Sequence, residues 1–267
     1  MFDLSGKVIV ITGGSGVLGT SMAKHLASHG ATPIILGRSQ EKIDAKLAEV
    51  GKNGTADGFS CDVLNEEQID QVRDQIVEKH KKVDVLINAA GGNMPGATIT
   101  PDQSLADLAI DEFRNVSDLN LVGTVIPCKA FGKVMAEQGR GSIINISSMA
   151  AYLPITRVVG YAAAKAGIDN FTKWLAVELA TKSGEGIRVN AIAPGFFITE
   201  QNKRLLTEED GSYTARGKTV IDNTPFKRFG QPEELNGTVH WLCSDDSAFV
   251  TGAIIPVDGG FSSFGRV

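Results

Sequence analysis

Tyr161 and Lys165 stand four residues apart in Tyr161-Ala162-Ala163-Ala164-Lys165, inside a segment whose Ala, Ile, Leu and Trp content predicts a helix. At that spacing both side chains leave one helix face. A phenol and an ammonium on one face can do acid/base work that neither does alone. The ammonium favours the phenolate and is expected to lower the tyrosine pKa from roughly 10 toward the operating pH. Tyr161 is then a candidate proton donor and acceptor for a carbonyl/alcohol pair. Tyr-x-x-x-Lys is also an ordinary surface contact on helices, so the surrounding elements decide its meaning.

Three strands end where such a pair can be used. Lys7-Val8-Ile9-Val10-Ile11 is a short β-branched run, followed at once by the turn Thr12-Gly13-Gly14-Ser15-Gly16-Val17-Leu18-Gly19 and an amphipathic helix. Strand, glycine turn and helix present backbone N–H groups to a diphosphate. Val83-Asp84-Val85-Leu86-Ile87-Asn88-Ala89-Ala90-Gly91 and Gly141-Ser142-Ile143-Ile144-Asn145-Ile146-Ser147-Ser148 are two further apolar runs ending in small or polar residues. Parallel α/β sheets bind ligands at the carboxyl ends of their strands. Strands are expected near 7–11, 33–36, 56–60, 83–87, 141–146, 187–193 and 253–257, and helices near 17–29, 39–50, 65–80, 111–137, 158–182 and 232–243. This alternation predicts a seven-stranded parallel sheet, helices on both faces, in the doubly wound order 3-2-1-4-5-6-7.

With these pieces in place the chain resembles the short-chain dehydrogenase/reductase family from about Gly6 to Gly260. The resemblance rests on Thr12-Gly13…Gly19, Asp62, Asn88-Ala89-Ala90-Gly91, Asn120, Ser148, Tyr161, Lys165, Asn190, Pro194-Gly195 and Val257-Asp258-Gly259-Gly260. It implies a single Rossmann-type catalytic domain over residues 1–267 and a nicotinamide cofactor. Tyr161 is then the general acid/base, Lys165 lowers its pKa and meets the nicotinamide ribose, and Ser148, rather than Ser147, polarises the substrate carbonyl. Asn120 holds a helix distortion and a relay water. Gly13, Ser15, Gly16, Leu18 and Gly19 form the diphosphate cradle, with Asp62 and Val63 near the adenine. Asn88, Ala89 and Ala90 support the floor, and Pro194, Gly195, Ile198 and Thr199 meet the nicotinamide end. The family usually carries glycine where Val17 stands; Gly16 is adjacent but does not fill the same place.

Cofactor choice is expected where the second strand ends. Pro33-Ile34-Ile35-Leu36-Gly37-Arg38-Ser39 holds no acidic residue to accept from an adenosine ribose, and an arginine there can pair with a 2′-phosphate. Arg38, helped by Ser39, therefore favours NADP(H) with NAD(H) possible, since Arg38 can also simply stack on adenine.

The 267 residues carry 42% hydrophobic residues and a formal charge of −5, a globular balance that argues against a nucleic-acid partner. No apolar run approaches the roughly 20 residues of a membrane span. Met1-Phe2-Asp3-Leu4 leads straight into the first strand, so a cytoplasmic chain without signal peptide is expected. Cys61, Cys128 and Cys243 lack metal-ligand spacing and read as buried small hydrophobes, and His25, His29, His80 and His240 as structural or surface residues; no metal site is expected.

Substrate should meet a loop from about 92 to 111, bearing Asn93, and a lid from about 195 to 229 with Phe196, Phe197, Gln201, Asn202, Lys203, Arg204, Tyr213, Arg216 and Lys218. Arg157 precedes Tyr161 by four residues, where an arginine can hold a carboxylate in a two-pronged contact. The polar loop and the Phe196-Phe197-Ile198-Thr199-Glu200-Gln201-Asn202 lid resemble the sugar-acid branch of the family, the D-mannonate oxidoreductase (fructuronate reductase) and gluconate 5-dehydrogenase types. A 3-oxoacyl thioester reductase is the alternative enzyme, and a non-catalytic nucleotide-binding redox sensor the alternative of another class. The family also implies a homotetramer through helices 111–137 and 158–182 and the C-terminal segment, with Phe171, Trp174, Leu175 and Leu179 compatible with either interface or core.

Overall fold

In the computed structural model, residues 2–199 and 202–265 are described; Glu200 and Gln201 of the expected lid, and the two ends of the expected 1–267 domain, lie outside them. The strands are β1 (Val8–Thr12), β2 (Thr32–Gly37), β3 (Asp57–Ser60), β4 (Val85–Asn88), β5 (Gly141–Ile146), β6 (Ile187–Pro194) and β7 (Ile254–Val257). All pairings are parallel and the order is β3-β2-β1-β4-β5-β6-β7, as expected.

The period of two along β1 builds both layers. Ile9 and Ile11 point into one apolar cluster with Met22, Leu26, Ile35 and Leu242, while Val8 and Val10 point into the other with Ile69, Val72, Phe131 and Met135. Such strands, buried on both faces, read as near-continuous apolar runs rather than alternating ones. Each fully buried Ile or Leu here stabilises the fold by roughly 2–3 kcal/mol.

The helices are α1 (Val17–Ser28), α2 (Gln40–Val50), α3 (Glu66–His80), α4 (Ile110–Ser117), α5 (Gly123–Gln138), α6 (Val159–Ser183), α7 (Lys203–Leu206), α8 (Ala215–Asp222) and α9 (Asn236–Cys243). The continuous helix expected over 111–137 is instead α4 and α5, separated by a π-helical turn, Asp118–Val122. Asn120 is the cause: its amide bonds Gly92 on both sides (3.0 and 2.8 Å) and the Val116 carbonyl (2.8 Å), pulling the helix out of its regular ladder. The helix expected over 232–243 opens with a 3₁₀ turn, Pro232–Leu235, before α9. Helices α7 and α8 lie in the lid, where none was expected; Thr214 Oγ1 caps α8 by accepting from the Gly217 amide (3.0 Å).

Register aligns the carboxyl ends of the central strands: Thr12 lies beside Asn88, and Asn88 beside Asn145. Asn88 Nδ2 donates to Asn145 Oδ1 (2.9 Å), and Asn145 Nδ2 donates to Thr172 Oγ1 (2.9 Å), so a fully buried polar chain joins β4, β5 and α6. Asn88 thus supports the sheet beneath the site. Thr172→Val keeps the shape but leaves Asn145 Nδ2 buried and unpaired. We expect a loss of about 1–3 kcal/mol, read as a Tm drop of roughly 2–4 °C per kcal/mol.

Candidate active site

The glycine turn is fixed by lack of space. A Cβ on Gly13, whose φ is +66°, stands 2.8 Å from the Ala89 carbonyl oxygen and the Ala90 backbone. One on Gly19 stands 2.5 Å from the Gly13 carbonyl oxygen, whereas one on Gly16 meets its nearest atom at 3.3 Å. Gly13 and Gly19 are therefore obligatory, and Gly16, the N-cap of α1, is not. This accounts for the tolerance of Val17 in the motif. The first amides of α1 have no carbonyl four residues back within the helix, and point with its positive dipole end at the space beside the turn. That cradle suits a diphosphate.

The cradle's neighbours are in place. Ser15 Oγ lies 3.0 Å from where a Gly37 Cβ would stand, joining the turn to the end of β2, and Leu18 packs against the core. Ala90 N–H donates to Thr12 Oγ1 (3.2 Å) and Ala89 N–H to the Thr12 carbonyl (3.2 Å). Asp62 Oδ1 accepts from the Leu64 amide (2.9 Å), and Val63 is buried. Arg38 is exposed at the rim of β2, and the Ser39 hydroxyl caps α2 by accepting from the Lys42 amide (3.3 Å). On the other side, Gly195 N–H donates to the Val257 carbonyl (2.9 Å), and a Gly195 Cβ would lie 2.7 Å from Asp258. Ile198 packs into the lid's apolar cluster, and the Thr199 carbonyl accepts from the Asn202 and Lys203 amides (3.1 and 2.9 Å).

Helix α6 brings the chemistry to the end of β5. Lys165 is only 4% exposed, and its Nζ donates to the Ile146 carbonyl (2.6 Å). Burial draws its pKa down to about 8, with Asp169 pulling the other way. Nζ stands 5.5 Å from the centre of the Tyr161 ring. Burial raises the Tyr161 phenol above its ordinary value, and the Ser148 hydroxyl opposes it. The expected lowering of the phenol by Lys165 is therefore not realised in this geometry. The ammonium faces the ring and is bonded to a carbonyl, so desolvation of the phenolate dominates.

The two serines at the end of β5 are placed differently. Ser148 caps a 3₁₀ turn, Met149–Ala151, accepting from the Ala150 amide (3.1 Å) with its hydroxyl beside Tyr161. Ser147 is buried, its hydroxyl lacks a hydrogen-bond partner, and it faces the Asp169 carboxylate on α6. Asp169 is a half-buried acid that sequence reasoning passed over. Its signal was a carboxylate four residues after Lys165, between the apolar Ile168 and Thr172. Asn120 is fully buried, and its backbone carbonyl accepts from Thr124 Oγ1 (2.8 Å).

Two expected substrate contacts are otherwise engaged. Asn202 Nδ2 donates to the Phe197 carbonyl (2.7 Å) and its Oδ1 accepts from Thr199 (2.8 Å), so both ends of the amide build the lid instead of reaching substrate. Asn93 is exposed and donates to Thr98 Oγ1 (2.7 Å), bracing its own loop. A cavity of about 230 Å³ lies under the lid, lined among others by Phe196, Phe226, Arg228 and Asp258. No residue of the Ser148–Tyr161–Lys165 group lines it, so it is a side pocket.

The basic groups converge instead at Arg157. Its carbonyl accepts from Ile99 (3.0 Å), and its φ of +77° is a left-handed conformation that costs a non-glycine residue about 1–3 kcal/mol. Arg216 of α8 crosses from the lid, its Nη2 donating to the Thr156 carbonyl (3.4 Å). Its Nε is buried without a partner, and its pKa is depressed first by burial and then by the charge of Arg157. Arg216, partly desolvated, thus lies in the electrostatic field of Arg157, just ahead of the helix that carries Tyr161.

A fold, a diphosphate cradle and a Ser–Tyr–Lys group at one crevice define a nicotinamide-dependent oxidoreductase, and the comparisons agree. A family model described as enoyl-(acyl carrier protein) reductase matches residues 15–262. The chain belongs to the short-chain dehydrogenase/reductase family. It is 45% identical over 275 residues to oxidoreductase UxuB of Bacillus subtilis (strain 168), itself described as uncharacterized, covering 99% of this chain and 98% of that one. A Haemophilus influenzae protein provisionally assigned as a D-mannonate oxidoreductase, solved with bound NAD, superposes with a TM-score of 0.91 at 41% identity, covering 99% and 98% of the two chains. A 3-oxoacyl-[acyl-carrier-protein] reductase of Synechocystis sp. (strain PCC 6803) is 36% identical over 267 residues, covering 99% and 100%.

The residues present fit the dinucleotide: the cradle that a Cβ would fill would receive the diphosphate, and the Lys165 ammonium stands beside Gly91 at the crevice floor. The bound nicotinamide supplies hydride chemistry. Ser148 and Tyr161 can together donate to one carbonyl oxygen, stabilising charge there and delivering the proton. Tyr161→Phe should reduce kcat by about 10²–10⁴-fold, while the dinucleotide Kd from fluorescence titration stays within about threefold. Undiminished turnover would remove Tyr161 from the acid/base role.

Proposed function

We propose that this enzyme transfers hydride reversibly between a nicotinamide dinucleotide and the secondary alcohol or ketone of a sugar acid of the D-mannonate/D-fructuronate type. The observation that carries this reading is the buried, unpartnered Nε of Arg216, whose Nη2 reaches the Thr156 carbonyl beside Arg157, just ahead of the helix of Tyr161. A carboxylate offsets the like charge of Arg157 and accepts in two-pronged fashion from a planar guanidinium. A thioester presents no such anion beside its carbonyl. The similarity to the H. influenzae protein provisionally assigned as a D-mannonate oxidoreductase supports the same reading.

Initial rates at 340 nm across aldonates, uronates and 3-oxoacyl thioesters test it. Turnover is expected on the hexonates and their keto forms, and Arg216→Met should lower kcat/KM for them about 10–100-fold through the loss of a charged hydrogen bond. Activity confined to thioesters overturns the sugar-acid reading and favours the Synechocystis-like reductase.

For the cofactor, the NADP(H) preference expected from Arg38 gains no support from the H. influenzae structure, which holds NAD. Neither a carboxylate that would repel a 2′-phosphate nor one that would accept from a ribose stands at the end of β2. We therefore propose NAD(H) as the working cofactor, with Arg38 able to admit NADP(H). Arg38→Ala should cost NADP(H) about tenfold or more in kcat/KM and NAD(H) little; equal losses would assign Arg38 to adenine stacking instead.

A cytoplasmic homotetramer belongs to the same proposal. Trp174 and Val177 are exposed on α6 at 56% and 64%, which supports burial against a second copy, whereas Leu175 lies in the core. No described helix is long and apolar enough to cross a membrane.

A further inference from the structure

We propose that His25, His29 and His240 form a binding site for a first-row transition-metal dication, zinc foremost, that clamps α1 to α9. His25 and His29 lie four residues apart at the C-terminal end of α1, so their rings share one face, and His240 meets them from α9. One ring nitrogen from each lies within 4.8 Å of the other two. The ring centres are 4.3, 5.1 and 4.7 Å apart, a closed triangle. His25 and His240 stand 215 positions apart in the chain.

The hydrogen bonds fix which nitrogens are free. His240 Nε2 donates to the Phe2 carbonyl (2.6 Å), leaving the Nδ1 lone pair toward His25 Nε2, 2.9 Å away. His29 Nδ1 donates to the His25 carbonyl (2.7 Å), leaving Nε2 as its free lone pair. Anchoring one ring N–H on a carbonyl while the other nitrogen faces a shared point is the arrangement of metal-ligating histidines. Without metal, His25 Nε2–H donates to His240 Nδ1; moving that proton to His25 Nδ1 turns a third lone pair inward with no net proton change. Three imidazoles and no carboxylate in the group suit zinc, nickel or copper over calcium or magnesium. Zinc–nitrogen bonds of about 2.0–2.1 Å would draw the three rings about one ion, and His29, the exposed one, has room to turn.

The site lies roughly 12 Å along α1 from the glycine turn, so it is separate from the crevice. Untagged, metal-stripped protein titrated with ZnCl₂ in a calorimeter tests it. One zinc per chain is expected, with a Tm rise of about 5 °C or more at 100-fold excess over Kd and no response to MgCl₂. His29→Ala, at an exposed position, should weaken zinc binding at least tenfold and abolish the Tm rise while leaving turnover unchanged. X-ray absorption of the zinc complex should show imidazole nitrogens at about 2.0 Å. Absence of saturable zinc binding, or binding undiminished in folded His29→Ala, overturns the proposal.

Discussion

The bond from the Lys165 ammonium to the Ile146 carbonyl fixes the rest of the crevice. A nearly inaccessible ammonium loses its hydration, and that cost is several kcal/mol unless strong acceptors replace the water. Here the last carbonyl of β5 replaces it, with the Asp169 carboxylate contributing its field from the next turn of α6. The bond therefore sets α6 against the end of β5 at one height. That height places Tyr161 a turn earlier on the helix, beside Ser148, which β5 delivers two residues after Ile146. The buried Asn88–Asn145–Thr172 chain holds the same two elements from below.

The opposite wall is fastened by Asn120, whose amide closes on Gly92 from the π-helical turn. A regular helix from α4 into α5 would rotate that side chain away from the loop. The distortion is thus the local cost of tying the 92–111 loop to the floor, since a Cβ at Gly91 would stand 2.6 Å from the same Asn120 oxygen. Loop, floor and catalytic helix become one rigid unit. The lid has its own cluster around Leu206, Val220, Ile221 and Phe229, touches the Met149 turn through Phe196, and reaches the Thr156 carbonyl through Arg216. An anion held between Arg216 and Arg157 would therefore join the lid to the catalytic unit by charge, which couples substrate binding to exclusion of water.

The strands, their order and the Ser148–Tyr161–Lys165 group were legible because each depends on short-range pattern: β-branched runs, glycines after a strand, a four-residue spacing. What was not legible depends on partners far away in the chain. The resemblance implied a distortion at Asn120, but the residue pattern read one helix over 111–137, because the break answers to Gly92, 28 residues earlier. The raised phenol of Tyr161 reflects burial, which spacing does not report, so a Tyr–Lys pair alone suggested the opposite direction. Asn202 and Asn93 have types suited to a polyol, yet local backbone and Thr98 occupy them first. Arg216 looked like any solvated lid residue until the fold set it in the field of Arg157. Likewise, four scattered histidines became a group of three and a separate His80–Asp57 pair (3.0 Å) only once α1 lay beside α9.

Helix α1 connects the two sites that the fold places on it, and its electrostatics favour both. The N-terminal amides carry roughly half a positive charge and face the diphosphate cradle; the C-terminal carbonyls carry the opposite and face the histidine group. An anion at one end and a dication at the other each gain about 0.3–1 kcal/mol from the helix, within a single turn of the end they occupy. Because the effect fades over that distance, occupation of the histidine group stabilises the packing of α1 on α9 without tuning the affinity of the cradle. The metal proposed there is therefore a matter of stability, and the chemistry stays with Ser148, Tyr161 and Lys165.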